Sequence, residues 1–220
     1  MIKNILRFIY WNVIRHIQVF LIVYNKYGHR KSFNTKKSIN KDGKPIPWYT
    51  FPAIEYLNQF DFSNSIVFEY GAGYSTFYWS DKAKEVTSVE CDKKWYEIIN
   101  NHHRDNLHLY LYEGGDEYIN SINQHADQYD IIIIDGIYRL SCLEQAVNNH
   151  SEDGIIILDN SDWHPDCTQF LRDNRYFEID FSGLGPINNY CWTTSIFIRH
   201  TTKLQNNYKN PMPVGGTAAT

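Results

Sequence analysis

Short apolar runs alternate with longer amphipathic segments between residues 50 and 200 of this 220-residue chain. The clearest run, at 129–134, contains four consecutive isoleucines, a pattern typical of a parallel strand that is buried on both faces. Segments of helical length separate successive runs, which predicts repeated strand–helix–strand units. The sequence therefore predicts an α/β fold whose doubly wound, mostly parallel sheet has seven strands, at 66–69, 85–89, 107–112, 129–134, 154–158, 176–181 and 191–200.

The last two predicted strands differ from the others, because only residues 182–190 lie between them. This loop contains two glycines and Pro186 and is too short for a crossover helix, so the two strands should pair as a terminal antiparallel hairpin. The loop is also long and polar for a plain hairpin connection. We therefore expect it to cover a ligand pocket, and a subunit contact is the alternative that remains open.

The N-terminal stretch 1–27 has the periodicity of an amphipathic helix, with Arg7 and Arg15 on its polar face. Its apolar face consists of Ile2, Leu6, Ile9, Val13, Ile17, Phe20 and Tyr24. Charges interrupt the stretch too often for it to span a bilayer. Three alternatives remain open: the helix packs on its own domain, forms a homodimer contact, or lies on an anionic membrane surface.

Charge divides the chain into unequal parts. Residues 1–44 carry ten Lys and Arg and a single acid, a net charge of +9, whereas the remaining 176 residues carry 11 basic and 24 acidic groups, a net charge of −13. The basic cluster is not repeated in the body of the chain, so no nucleic-acid partner is predicted. The predicted division is a basic helix and flexible linker at 1–44, a ligand-binding domain at 45–200, with a helix at 50–60 that Thr50 caps, and a flexible tail at 201–220.

The four cysteines are widely spaced and form no Cys-x-x-Cys pair, which suits a reducing cytoplasm. With the basic helix, this predicts a cytoplasmic protein whose residues 1–27 are candidates for peripheral contact with the inner face of a membrane.

A glycine turn follows the first predicted strand. Glu69-Tyr70-Gly71-Ala72-Gly73 ends the strand, Ser75 and Thr76 are placed to cap the next helix, and Glu90 ends the second strand 21 positions after Glu69. That spacing is typical of a carboxylate that binds ribose hydroxyls. Thr76 occupies the position where a dinucleotide fingerprint has its third glycine. Glu69 would repel a pyrophosphate but would suit a ligand that carries an ammonium or sulfonium group.

These residues resemble the class I S-adenosylmethionine-dependent methyltransferases, whose first motif reads acid-x-Gly-x-Gly. The resemblance spans about residues 49–200 and implies a methyltransferase that binds S-adenosylmethionine and acts on a small-molecule or membrane-linked acceptor, at an oxygen. The cofactor-binding residues it implies are Glu69, Gly71, Ala72, Gly73, Ser75, Thr76, Glu90, Cys91, Asp116 and Asp135. Two other functions remain open, a nicotinamide-dependent oxidoreductase and a non-catalytic module that binds S-adenosylmethionine.

Acidic and amide side chains follow the fourth and fifth strands, as Asp135 and as Asp159-Asn160. In catechol-type relatives within the family, an Asp and an Asp-Asn pair at these places hold Mg²⁺, so the resemblance makes these three residues candidate metal ligands. The lysine base of those enzymes is replaced here by Tyr138. The rival interpretation is that Asp135 orients the acceptor or takes its proton while Asp159 and Asn160 shape the pocket. Asp135, Asp159 and His164 are the predicted catalytic residues.

Overall fold

The computed structural model of the chain describes residues 3, 7–8, 10–125 and 128–199. A helical segment opens it, with a π-helix at Tyr10–Ile14, helix α1 at Arg15–Leu21 and a second π-helix at Ile22–Lys26; we call this stretch the N-terminal rod. The predicted helix is confirmed over the rod. Residues 1, 2, 4–6 and 9 of that prediction, and the predicted tail at 201–220, lie outside the described residues.

The side chains of the N-terminal rod are mostly exposed. Among the described side chains of the rod, Val23 near its end packs against the core of the domain. The exposed apolar residues are Tyr10, Trp11, Val13, Ile14, Ile17, Phe20, Leu21 and Ile22. The described side chains of residues 10–18 and 20–21 are all exposed, so these side chains do not pack on the domain, which was one of the three predicted alternatives. None of the described helices combines the length and the apolar character that crossing a bilayer requires.

Residues 28–44 were predicted to be a flexible linker, and that prediction was wrong. Helix α2 occupies His29–Thr35, and Ile39 then pairs with Pro45 in an isolated antiparallel bridge. The Ser32 hydroxyl donates to the Ile39 carbonyl at 2.5 Å, and the Ser38 hydroxyl donates to the Pro47 carbonyl at 3.0 Å. Both serines are buried. Polar composition suggested a loop here, but buried hydroxyls fold the segment onto the domain.

Six further α-helices and seven strands follow in the described part of the chain, and they alternate until β6, which β7 succeeds with no helix between them. The helices are α3 at Phe51–Leu57, α4 at Tyr74–Ser80, α5 at Lys93–Asn100, α6 at Gly115–Asn120, α7 at Arg139–Asn149 and α8 at Pro165–Asp173. The strands are β1 at Ile66–Tyr70, β2 at Glu85–Glu90, β3 at Leu107–Leu111, β4 at Tyr129–Ile134, β5 at His150–Asp159, β6 at Tyr176–Gly183 and β7 at Trp192–Arg199.

Two boundaries differ from the predictions by three residues or more. Helix α3 ends at Leu57 rather than at residue 60, and the Thr50 hydroxyl donates to the Phe181 carbonyl of β6 at 2.7 Å instead of capping α3. Strand β5 begins at His150, four residues earlier than predicted. The early start of β5 comes from the pairing of His150 with Tyr129 of β4.

The seven strands form one sheet in the order β3-β2-β1-β4-β5-β7-β6. Strands β1 to β5 pair in parallel, whereas β7 runs antiparallel to both β5 and β6. The predicted doubly wound sheet and its terminal antiparallel hairpin are confirmed.

Each face of the sheet carries its own apolar core, because side chains of a strand alternate between the two faces. On β4, Ile132 and Ile134 join one core, which α7 and α8 cover through residues such as Leu143 and Leu171. The intervening Ile131 and Ile133 join the other core, which α3 and α4 cover. Helices on both faces explain why β4 is apolar along its whole length.

The order of the strands reverses between β1 and β4, because the chain winds outward in both directions from this pair. Loops that leave adjacent strands at such a point diverge and leave a crevice at the carboxyl ends of the strands, where α/β proteins bind their ligands. The loop after β1 begins at Gly71, and the loop after β4 contains Asp135 and Gly136. The Asp135 amide donates to the Tyr70 carbonyl at 3.0 Å, which joins the two loops at their base.

Candidate functional site

The glycine turn after β1 is shaped by contact with the neighbouring loop. Gly71 has φ +94°, and a Cβ on it would lie 2.8 Å from both Cα and N of Gly136. Glycine is needed at 71 because the conformation is left-handed and because another backbone passes so close. Gly73, in contrast, has extended φ, and the nearest atoms to a Cβ there would be 3.7 Å away.

Thr76, in the third-glycine position, ties the turn to β1. Its hydroxyl accepts a hydrogen bond from the Gly73 amide at 2.8 Å and donates to Glu69 Oε2 at 2.5 Å. The Ser88 hydroxyl donates to the same oxygen at 2.6 Å, because Ser88 lies opposite Glu69 in the parallel register of β1 and β2. Glu69 is fully buried beneath the glycine turn.

Burial raises the pKa of Glu69 to about 7, although hydrogen bonds from Ser75, Ser88 and Thr76 favour the charged form. Its second oxygen, Oε1, is buried without a hydrogen-bond partner. The structure therefore places Glu69 under the ligand crevice rather than on its wall. This position does not support the predicted direct contact between Glu69 and the ligand. The carboxyl supports the turn from below.

We expect this carboxyl to make the stability of the protein depend on pH. The folded pKa of Glu69 lies above the unfolded value, so its contribution to the free energy of unfolding is full below about pH 4.5 and is lost as the pH rises through about 7. The loss is on the order of 3 kcal/mol, at 1.36 kcal/mol per pKa unit.

Glu69→Gln should flatten this dependence, because the amide keeps an acceptor for Thr76 and Ser88 but carries no titrating proton. Urea unfolding of both proteins at pH 5 and pH 8 measures the effect. An equal loss of stability between the two pH values in both proteins would contradict the assignment.

Glu90, at the end of β2, presents a carboxylate to the crevice. Its Oε1 accepts from the amides of Cys91 at 2.7 Å and Asp92 at 2.8 Å, so the backbone holds one oxygen and fixes the direction of the other. Trp95 of α5 stands beside it, and its indole N–H donates to the Ala72 carbonyl of the glycine turn. The sequence predicted Glu90 as a cavity residue but not Trp95, because nothing in the sequence of the helix that contains Trp95 indicates that its side chain faces the crevice.

A first cavity of about 380 Å³ lies in this crevice. Most of the residues predicted to bind the cofactor line it, together with three from the N-terminal segment and one from the 182–190 loop. The lining residues are Lys36, Ser38, Trp48, Gly71, Ala72, Gly73, Tyr74, Ser75, Glu90, Cys91, Trp95, Asp135, Gly136, Ile137 and Ile187.

A second cavity of about 220 Å³ adjoins the first, and both are lined by Trp48 and Asp135. Four aromatic side chains and four polar ones surround it: Trp48, Trp163, Tyr190, Trp192, Asp135, Asp159, Asn160 and Asn188. The 182–190 loop borders both cavities, through Ile187 at the first and through Asn188 and Tyr190 at the second. Two pockets that meet at one carboxylate suit a transfer from one ligand to another.

A guanidinium lies among the three residues that the sequence offered as metal ligands. Arg139 Nη2 is 3.3 Å from Asp135 Oδ1 and 3.2 Å from Asn160 Oδ1, while Nη1 donates to the Asp159 carbonyl. The Arg139 side chain is only 12% exposed. Its fork joins the carboxyl ends of β4 and β5 through several hydrogen bonds at once, the geometry in which arginine surpasses a point charge.

The residues present do not fit the magnesium ion that the resemblance to catechol-type enzymes implies. Asp159 Oδ1 already accepts from the Trp192 indole at 3.0 Å and from the Thr194 hydroxyl at 2.5 Å. Asp135 and Asn160 share their oxygens with Arg139, which supplies the positive charge that a metal would otherwise bring. A cation at this place would have to displace Arg139.

The carboxyl of Asp135, which is 23% exposed, and the buried carboxyl of Asp159 both have raised pKa values. Burial raises the pKa of Asp135, and the nearby Arg139 guanidinium opposes part of this shift. Burial and the negative charge of Asp135 both raise the pKa of Asp159. Asp135, which lines both cavities, is thus a carboxyl with increased affinity for a proton at the junction of the two pockets.

Two other predicted residues, together with Tyr138 at the position of the missing lysine base, lie away from the cavity walls. Asp116 is exposed in the first turn of α6 and does not line the first cavity. His164 precedes α8 and does not line the second cavity, and burial lowers its pKa. Tyr138 has φ +53° and its ring turns toward Gly114, away from the second cavity. The walls of the two cavities therefore give no support to an adenine contact by Asp116 or to proton transfer by His164 or Tyr138, and these roles stay predictions.

Comparison with solved structures identifies the architecture. A precorrin-6y C5,15-methyltransferase from Geobacter metallireducens aligns with 76% of this chain and 96% of its own at a TM-score of 0.57 and 13% identity. The O-methyltransferase TomG from Streptomyces achromogenes was solved in complex with SAM (S-adenosylmethionine). It aligns with 63% of this chain and 74% of its own, with a TM-score of 0.53 and 8% sequence identity. The chain has the class I methyltransferase fold.

An rRNA methylase from Streptococcus thermophilus shares this methyltransferase fold, over 68% of this chain and 97% of its own, with a TM-score of 0.51 and 15% identity. No protein-family model matches the sequence, and no curated protein matches it. The likeness to methyltransferases is therefore one of fold, and the chemistry has to be argued from the two cavities.

Proposed function

We propose that the chain is an S-adenosylmethionine-dependent methyltransferase that transfers a methyl group to an oxygen of a small-molecule or membrane-linked acceptor. The observation that carries the proposal is the pair of adjoining cavities, which share Trp48 and Asp135 at their junction. One cavity has the glycine turn and the ribose-type carboxylate, and the other has aromatic walls with polar groups.

In the first cavity, Glu90 supports adenosine binding. One of its oxygens is held by two amides, so the other is available to accept hydrogen bonds from ribose hydroxyls. The cofactor, when bound, supplies a methyl group already activated on a sulfonium. Placement of donor and acceptor then provides much of the rate, as much as ~7–11 kcal/mol for well-oriented reactants.

In the second cavity, Asp135 is the residue placed to orient the acceptor and to take its proton. Its raised pKa brings a carboxyl closer to the basicity that a hydroxyl donor requires. Asp159 is held by Trp192 and Thr194 and shapes the pocket, as does Asn160 through Arg139. The aromatic walls provide flat apolar surfaces for a ring-shaped acceptor of a size that about 220 Å³ admits.

Glu90→Ala tests the cofactor half of the proposal. Loss of hydrogen bonds to a charged acceptor should weaken binding of S-adenosylhomocysteine by about 1.5–3 kcal/mol, roughly 10- to 100-fold. Calorimetric titration measures this, with the exposed Glu117→Ala on α6 as a control that should bind like the wild type. Unchanged affinity in a folded Glu90→Ala protein would remove Glu90 from the site. Tighter binding of NAD than of S-adenosylhomocysteine to the wild type would favour the oxidoreductase alternative.

We also propose that the N-terminal rod attaches the protein to an anionic membrane surface. Its exposed aromatic and aliphatic side chains lie in a segment of net charge +9, and this combination is characteristic of peripheral attachment. Each basic residue near an anionic surface contributes ~1 kcal/mol, decreasing within a Debye length of ~10 Å. Attachment would bring the enzyme to a membrane-linked acceptor.

Vesicle flotation tests this attachment. We expect binding to anionic vesicles that weakens with salt, little binding to neutral vesicles, and a loss of binding when Ile17 and Phe20 are both changed to Asp. Ile98→Asp, which changes an equally exposed isoleucine on α5, should float like the wild type. If the Ile17 and Phe20 changes instead convert a dimer to a monomer, with no flotation in any condition, the rod is a subunit contact.

A further inference from the structure

The first cavity receives part of its wall from the basic N-terminal segment. Lys36, Ser38 and Trp48 all come from residues that precede the sheet, yet they line the cavity with the glycine turn. The segment is fastened on both sides: Ser38 binds the Pro47 carbonyl, and His29 Nε2 lies 3.0 Å from the Asn188 carbonyl of the loop that borders the cavities. These contacts fix where the segment meets the cavity.

Lys36 contributes the only positive charge on this wall, among the residues that the structure describes. It ends α2 in a left-handed conformation, with φ +56°, and its amide donates to the Ser32 carbonyl. Its ammonium lies 4.1 Å from the centre of the Phe33 ring, and no carboxylate of the described residues pairs with it. A cavity whose other charges are Glu90 and Asp135 thus has one cation without an anionic partner.

The position of Lys36 along the cavity can be inferred from its neighbours. The bond between Ser38 and Pro47 brings the Lys36–Ser38 stretch beside Trp48, and Trp48 borders the second cavity. Glu90, Cys91 and Trp95 follow β2 and form a different part of the wall. Adenosine at Glu90 leaves the amino-acid end of the cofactor on the side where Trp48 and Lys36 lie.

We propose that Lys36 binds the carboxylate of the methionine moiety of S-adenosylmethionine. The inference rests on the proposed function and deepens it, because it assigns a cofactor-binding residue outside the sheet. An ammonium that rests on an aromatic ring can turn to a carboxylate at small cost, since the cation–π contact at an exposed site is weak. The pairing makes the N-terminal segment part of the cofactor site.

The test compares two ligands that differ only in this carboxylate, S-adenosylmethionine and its decarboxylated form, by calorimetric titration. Lys36→Met should weaken binding of S-adenosylmethionine by about 10-fold and leave the decarboxylated ligand unchanged, because only a charged partner is removed. Lys36→Arg should restore most of the affinity. Lys37→Met, at the adjacent exposed lysine outside the cavity wall, should behave like the wild type with both ligands.

Three outcomes would overturn the inference. Equal weakening of both ligands by Lys36→Met would show a general effect on the cavity, and no weakening of either would remove Lys36 from the site. Loss of affinity in Lys37→Met equal to that in Lys36→Met would point to a nonspecific charge effect. Failure of the wild type to bind either ligand would instead contradict the proposed function, so the two failures are distinguishable.

Discussion

Arg139→Met should destabilise the protein by about 3 kcal/mol, the lower end of the cost of removing one partner from a buried ion pair, because the Asp135 side chain is still 23% exposed. The substitution would leave the Asp135 carboxylate without its cation, and the Asp159 carbonyl and Asn160 side chain would each lose a donor. Urea or thermal unfolding at pH 8 measures the loss. The loss should be smaller at pH 5, because Asp135, whose pKa would rise further without Arg139, can then become protonated.

Two matched variants separate charge from geometry at this position. Adding Asp135→Asn to Arg139→Met should recover part of the lost stability, because the uncompensated charge is gone while the orphaned oxygens remain. Arg139→Lys keeps the charge but cannot reproduce the fork, so it should be intermediate. Magnesium should not raise the melting temperature of the wild type. A wild-type protein stabilised by magnesium, or an Arg139→Met protein as stable as the wild type, would contradict the assignment of Arg139.

Gly71→Ala should abolish measurable binding of S-adenosylhomocysteine and lower the free energy of unfolding by about 1–3 kcal/mol, the usual cost of forcing a side chain into a left-handed conformation. A Cβ at residue 71 would lie 2.8 Å from the Gly136 backbone and 2.9 Å from the Asp135 carbonyl carbon. The loops after β1 and β4 would have to separate, and both line the first cavity.

Gly73→Ala is the control for this substitution, because Gly73 has an extended backbone and a Cβ there would meet ordinary contacts at 3.7 Å. We expect it to fold with nearly unchanged stability. Thermal unfolding of both variants, and their titration with S-adenosylhomocysteine, measure the difference in stability and in binding. If Gly71→Ala were as stable as Gly73→Ala, the close approach of the two loops would not be a constraint on the fold.

The sheet could be predicted from the sequence because its signals are local. Strand β4 has isoleucine at four successive positions because helices cover both faces of the sheet. The 182–190 loop is too short for a crossover helix, so β6 and β7 pair directly with each other. The position of Glu90 at the end of β2 and of Asp135 directly after β4 also predicted that both would lie at the crevice. These two are on the cavity wall.

What sequence could not predict depends on contacts between distant segments. Glu69 is paired with Ser88 by the register of two strands, and that pairing places its carboxyl under the turn. Asp159 is held by Trp192 and Thr194 from β7, more than thirty positions away. The sequence shows an arginine at 139 but not where its side chain points. That direction depends on the pairing of β4 with β5, which brings Asp135, Asp159 and Asn160 together.

The N-terminal segment was the largest departure. Its polar composition indicates a loop, yet Ser32 and Ser38 are buried and their hydroxyls donate to backbone carbonyls. Lys36, which lies between them in the sequence, lines the first cavity. Hydroxyl groups that satisfy their own hydrogen bonds can be buried without apolar periodicity, and periodicity is the signal that sequence analysis uses.

The central claim is that the first cavity binds S-adenosylmethionine, and calorimetric titration of the full chain with S-adenosylhomocysteine tests it most directly. The account predicts one molecule bound per chain, affinity that falls about 10-fold or more in Glu90→Ala, and no measurable binding of NAD or NADP. Absence of S-adenosylhomocysteine binding to the folded wild-type protein, or binding that Glu90→Ala and Gly71→Ala both leave unchanged, would contradict it.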